Sequence, residues 1–262
     1  MYRRTELEGF HSVNVRAQRA RNGFTLLELL IVIAVISILF SMLILVTRNA
    51  MASVKSARSM SNLRQWGLAA KMYVNDHDQK FPWDGVDDVA ACIDTPDWWA
   101  NALPPYVGYE SYRDLVHNGE PPIPPKKTIF LDPSAKVPPN APYESGNVEF
   151  FFCYVPNSKL NSSIPGNQRV RVSRIARPAA TAFIVEMRTH RDELPPSSPF
   201  YRKTLDRAKA DWQRFANRHK EGGHIVFVDG HVEHVTQKKA TTSTGGDYNQ
   251  GDLIWNPFGE AR

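Results

Sequence analysis

The chain reads as α+β, with one long N-terminal helix laid against an antiparallel sheet. Three observations predict this. Phe24 to Val46 is an apolar run of 23 residues whose only strongly polar member is Glu28. Apolar side chains at three- and four-residue steps continue beyond it, and strand-length apolar stretches follow residue 148, the last two separated by Asp229-Gly230. With 262 residues, 42% hydrophobic and 23% charged, the chain is neither wholly disordered, collagen-like nor a multi-span membrane protein. Of its net charge of +5, +3 lies in the first 23 residues, where Arg3, Arg4, Arg16, Arg19 and Arg21 face Glu6 and Glu8. The +2 left for the rest gives no case for nucleic-acid binding. Cys92 and Cys153 allow at most one bridge and exclude a disulfide scaffold or a four-cysteine zinc site; they could pair or stand as two buried thiols.

The first element is the apolar run. As a helix it rises roughly 35 Å, enough to cross a hydrocarbon core. The apolar region of a signal peptide spans only about 7–15 residues, although Ala50-Met51-Ala52 mimics the small-residue cleavage pattern that would follow one. Arg48, Lys55, Arg58 and Arg64 follow the run closely, so charge alone does not orient it. Glu28 would cost about 2.5–3.5 kcal/mol at the bilayer centre and less near the interface, so it needs a partner.

The helix continues through Met60, Leu63, Trp66, Ala70 and Tyr73, with Arg58, Arg64 and Lys71 mostly on other faces. Asn75-Asp76-His77-Asp78 and Phe81-Pro82 end it. The expected organisation is a leader over 1–23, a transmembrane half over 24–46, an amphipathic half over 47–75 and a globular α+β domain over 76–262. Ten of the 19 prolines lie between Pro104 and Pro142, which forbids a long helix or central strands there. Tyr106, Tyr109, Tyr112, Ile129, Phe130 and Leu131 supply groups to pin this insertion down. Strands are expected over Val148–Val155, Thr181–Glu186, Ile225–Val228 and His231–Val235, with a two-residue type I′ turn at Asp229-Gly230.

Gly23-Phe24-Thr25-Leu26-Leu27-Glu28 resembles the cleavage signal of type IV prepilins and type II secretion pseudopilins. The resemblance implies that a prepilin peptidase cuts after Gly23 and methylates the new amine of Phe24. Glu28 would then be the fifth mature residue, paired with the N-terminus of a neighbouring subunit. Ser53 to Pro82 is similar to the helix after the signal in pilin-like proteins of the H-x9-DG group, and His219 with Asp229-Gly230 matches that group's signature. Arg174-Ile175-Ala176-Arg177-Pro178 looks like its strand lead-in. Where the group often has a Cys before Asn-Leu-Arg-Gln and a later Cys-Pro, this chain has Ser59 and Asp132-Pro133, so both cysteines are missing together, as expected if they normally pair.

The resemblance implies a pilin-like fold and a structural, non-enzymatic role. The chain would be a pseudopilin or minor pilin-like subunit in the bacterial inner membrane, with its C-terminal domain in the periplasm. Its partners would be the prepilin peptidase, other pilin-like subunits and an assembly platform.

Two other classes compete. His219, His224, His231 and His234 with Asp229 and Glu233 suggest a metal-dependent hydrolase. Strand alternation argues that these histidines do not all converge, and no H-E-x-x-H pattern accompanies them. The expected role of His219 is to cap the hairpin, and that of Asp229 is to accept turn N–H groups. Trp83, Trp98, Trp99, Tyr106, Tyr109 and Tyr112 suggest a membrane-tethered module that binds carbohydrate or protein. Asp247, Asn249 and Asp252 form a candidate calcium loop before the Leu253-Ile254-Trp255 anchor, and that segment also resembles the C-terminal calcium loop of major pseudopilins.

Overall fold

A computed structural model describes residues 24–137, 150–160, 169–205, 207–242 and 248–259. The chain divides into two compact units, Met1–Arg48 and Asn49–Arg262. The long helix α1 runs Leu26–Asp76. Its part in the first unit is long and apolar enough to cross a membrane, and every described side chain there is exposed. The few hydroxyls in it are satisfied within the helix: Ser37 donates to the Ile33 carbonyl and Ser41 to that of Ile38, both at 2.7 Å. This is the arrangement a lipid-facing helix requires.

In the second unit α1 becomes amphipathic. Ser59, Asn62, Leu63, Trp66, Ala69, Ala70, Tyr73 and Val74 are buried at the spacing of one helical face. The helix stops where Asp78 and Gln79 take φ of 53° and 60° and the His77 ring turns back to donate to the Tyr73 carbonyl at 2.8 Å.

Four strands, β1 (Tyr154–Pro156), β2 (Ala182–Glu186), β3 (Gly222–Phe227) and β4 (Val232–Thr236), form one antiparallel sheet in that order. The fold is α+β and pilin-like, as the sequence predicts. Two strand expectations need correction. The stretch expected as a strand from Val148 begins outside the described residues, and only Tyr154–Pro156 pairs with β2. Phe151, Phe152 and Cys153 are buried instead as irregular core, with the Cys153 carbonyl accepting from Met187 N–H at 2.8 Å.

The β3–β4 connection is not a two-residue type I′ turn either. Only Gly230 takes positive φ (87°), Gly230 N–H donates to the Phe227 carbonyl at 2.8 Å, and Phe227 N–H donates to that of His231 at 3.0 Å. That is a three-residue loop with glycine in the left-handed position. It sits against α1, where a Cβ on Gly67 would lie 3.0 Å from Val226 Cγ1 and 3.3 Å from the Gly230 carbonyl.

The proline-rich segment, described up to residue 137, wraps the other side of α1. Trp66 Nε1–H donates to the Ile129 carbonyl at 2.9 Å, and Tyr112, Ile129, Phe130 and Leu131 are buried, while Tyr109 stays exposed. Short helix α2 (Trp99–Ala102) precedes it and α3 (Tyr112–His117) lies within it, the latter capped by Ser111 accepting from Asp114 N–H at 3.1 Å. Leu253 and Trp255 are fully buried, and the Ile254 carbonyl accepts from Ala182 N–H at 2.9 Å, so the C-terminal segment anchors beside β2. Cys92 and Cys153 are two free, buried thiols.

Candidate functional site

Two regions hold the residues singled out by the sequence. At the start of α1, Gly23 lies outside the described residues and Phe24 is exposed. Thr25 and Glu28 form a reciprocal cap. Thr25 N–H donates to Glu28 Oε2 at 2.9 Å, Thr25 Oγ1–H donates to the same oxygen at 2.8 Å, and Glu28 N–H donates to Thr25 Oγ1 at 3.2 Å. Thr-x-x-Glu before an apolar run is a capping-box pattern, so this second role of Glu28 was available in the sequence. The carboxylate also complements the positive end of the helix dipole.

The second region is built around His219. Its carrier turn has the positive φ at both central residues that a type I′ turn requires: Lys220 and Glu221 have φ of 44° and 60°, and His219 and Gly222 exchange backbone hydrogen bonds of 3.0 and 2.9 Å. Lys-Glu is a poor signal for such a turn, which favours Asn and Gly, so it was not read from the sequence. Close packing explains the two glycines that follow. A Cβ on Gly222 would lie 2.0 Å from the Val235 carbonyl, and one on Gly223 would lie 2.9 Å from Glu186 Oε2.

This turn folds His219 back beside a polar row that crosses the sheet. Tyr154 pairs with Glu186 in register and His224 with His234, and His224 Nδ1 lies 2.8 Å from Glu186 Oε1, which closes the row. Helix α1 supplies Ser59, whose hydroxyl donates to Glu186 Oε1 and lies 2.9 Å from Tyr154 Oη and 3.4 Å from Asp132 Oδ2. His219 Nε2 is 2.8 Å from Asp132 Oδ2 and 3.8 Å from Glu186 Oε1. Arg218 bridges Asp132 at 2.8 Å and Glu193 at 2.9 Å. Ser59, Asp132, Tyr154, Glu186, His219 and His224 are all buried.

The electrostatics follow from that burial. Desolvation alone would raise the Asp132 carboxyl, but the Arg218 guanidinium and the His219 ring overcome it and hold Asp132 at about 2. Burial would lower His219, yet Asp132 and Glu186 prevail and raise it. Burial pushes Tyr154 well above the ordinary phenol range.

Several expectations change here. His219 does not cap the Asp229-Gly230 turn; it belongs to this cluster, which lies at the opposite end of β3. The four histidines do not all converge, in line with strand alternation, but His219 and His224 meet because the Lys220-Glu221 turn returns His219 over the sheet. Of the remaining histidines, His234 Nε2–H donates to the His219 carbonyl at 2.6 Å, and His231 stands apart, paired with Asp229 at 2.6 Å. Asp229 does accept a turn N–H, from His231 at 3.1 Å. Glu233 is exposed and lies 3.8 Å from Lys239. The roles of Asp132 and Glu186 were not read from the sequence, because neither lies near His219 along the chain. Ser59 and Asp132, where the resembling proteins often carry cysteines, come into contact in the fold.

Trp98, Trp99 and Tyr112 are core side chains; of the six aromatics offered as a binding surface only Trp83, Tyr106 and Tyr109 keep appreciable exposure. In the candidate calcium loop, Asp247 lies outside the described residues. Asn249 Oδ1 accepts from Trp255 and Asn256 N–H at 2.8 and 2.9 Å, and Asp252 pairs with Lys239 at 2.7 Å.

Residues 18–44 match the prokaryotic N-terminal methylation motif. No curated protein and no solved structure matches the chain. The matched segment spans Gly23-Phe24, the capped helix start and most of the apolar run. The chain therefore carries a prepilin-type N-terminal methylation motif on an α+β, pilin-like fold.

Proposed function

We propose that the chain is a pseudopilin or minor pilin-like subunit, cut after Gly23, N-methylated on Phe24 and drawn through its apolar helix into a type II secretion or type IV pilus-like filament. The reading rests on one coincidence. The matched motif brackets Gly23-Phe24, a capped helix starts two residues on, and its first unit offers apolar side chains that nothing in the described chain covers. Lipid covers such a helix before assembly, and neighbouring subunits cover it afterwards.

In this reading residues 1–23 are a cytoplasmic leader, 24–46 span the inner membrane and the globular unit lies in the periplasm. Prepilin peptidase, other pilin-like subunits and an inner-membrane assembly platform are the partners. Glu28 meets the methylated amine of an adjacent subunit once the leader is gone.

Mass spectrometry of the protein from membranes tests the processing step. A chain beginning at N-methylated Phe24 is expected, Gly23→Ala slows its appearance and a bulky residue at 23 abolishes it. A mature terminus after Ala52 would overturn the proposal. A processed chain that never enters a filament would favour the membrane-tethered binding module.

A further inference from the structure

The cluster around His219 has the composition of a metal centre. One ring nitrogen each of His219 and His224 and a Glu186 carboxylate oxygen lie within 4.8 Å of one another, and all three residues are buried. We propose that Glu186, His219 and His224 bind one zinc ion that ties the β3 turn to β2 beneath α1.

Four observations support the site. Ligand atoms about 2.0–2.2 Å from a tetrahedral zinc are separated by roughly 3.3–3.5 Å. The His224–Glu186 and His219–Glu186 separations, 2.8 and 3.8 Å, lie on either side of that value, so small side-chain shifts suffice. Two imidazoles with one carboxylate suit zinc, whereas calcium and magnesium take oxygen alone. The outer shell is also present: His224 Nε2 lies 3.2 Å from Ser56 Oγ, which leaves Nδ1 facing the site. Finally, Glu186 Oε2 is buried with no hydrogen-bond partner among the described residues. A buried carboxylate oxygen in that state is costly, and a rotation of the carboxylate that brings Oε2 as well as Oε1 onto the cation would relieve the cost.

Ser59 and Asp132 flank the remaining side, so α1 and the proline-rich segment close over the ligands. Glu186 is 0% exposed, His219 4% and His224 1%. A site this enclosed gives no route to substrate, and the ion is structural. A structural zinc in this position would cross-link the β3 turn to β2, and its binding free energy would add to folding stability.

The test uses the full-length chain in detergent. Zinc is removed with a chelator and returned, and bound metal is measured by plasma mass spectrometry alongside thermal unfolding. One zinc per chain is expected, with the melting temperature rising on zinc return and a tetrahedral d–d spectrum on cobalt substitution. Ser56→Ala should weaken zinc affinity by about 10- to 100-fold without disturbing the fold. His224→Gln should abolish uptake, and His231→Ala, at an exposed histidine outside the cluster, should leave it unchanged. No uptake by the chelated wild-type chain, or uptake lost in His231→Ala and kept in Ser56→Ala at full affinity, overturns the proposal. The Ser56 and His231 variants keep the test decisive if His224→Gln fails to fold.

Discussion

Asp132 shows how much a single buried acid can do in this chain. It accepts from Arg218 at 2.8 Å, lies 2.8 Å from His219 Nε2 and caps Ser134 N–H at 2.6 Å. Its carboxyl is lowered from 3.8 to about 2, so its contribution is fully present above pH 3.8 and is lost as the pH falls toward 2. The shift corresponds to about 2 kcal/mol. In chelator-treated protein, the stability gap between wild type and Asp132→Asn should be widest near pH 5 and should narrow toward pH 2. Melting curves across that range check it, and a gap independent of pH would show that the charge contributes nothing. Glu28 carries the other residue-scale expectation. Glu28→Gln keeps an acceptor for Thr25 N–H but removes the charge, whereas Glu28→Val removes both. If the charge pairs with a neighbouring N-terminus, both variants insert in the membrane and both fail to enter filaments. Normal incorporation of the Gln variant would leave Glu28 with only its capping role.

Among the elements, the β3–β4 hairpin depends on two connections of different kinds. The Asp229-Gly230 loop was legible as a turn because Asp-Gly between apolar runs is a strong local signal; its third residue was not, because loop length follows from register with the neighbouring strand. The Lys220-Glu221 turn was not legible at all. Positive φ at both positions costs about 1–2 kcal/mol per residue relative to glycine, and the contacts of His219, the packing of Gly222 and the Gln237 N–H donating to the Glu221 carbonyl at 2.8 Å hold it. Lys220→Asn with Glu221→Gly should therefore raise stability by about 1 kcal/mol, read as an increase in melting temperature of a few degrees. Gly222→Ala should do the opposite, because its Cβ would lie 2.0 Å from the Val235 carbonyl. A loss of about 1–3 kcal/mol is expected from such overpacking.

At the scale of the whole molecule, the chain joins an exposed apolar helix to a unit with its own core. The second unit, Asn49–Arg262, includes the amphipathic half of α1, the sheet and the buried cluster. A chain starting at Asn49 should therefore be soluble without detergent and retain a cooperative melt. Circular dichroism of that fragment checks this, and aggregation with loss of helix signal would show that the unit needs the apolar helix to fold. A start at residue 76 should not fold, because it lacks Leu63, Trp66 and Tyr73, which form the helical side of the core.

What the sequence determined by itself is local and periodic. The apolar run, the Gly23-Phe24 junction, the buried stripe of α1 and the existence of the sheet all follow from neighbours along the chain or from a repeat of 3.6 or 2 residues. The tertiary structure alone decided which distant side chains meet. Ser59, Asp132, Glu186 and His219 come from a helix, an irregular segment, a strand and a turn, separated by as many as 160 residues. No periodicity links them, and the turn that brings His219 to the others has positive φ at a lysine and a glutamate. Its conformation is stable only because the rest of the fold holds it there.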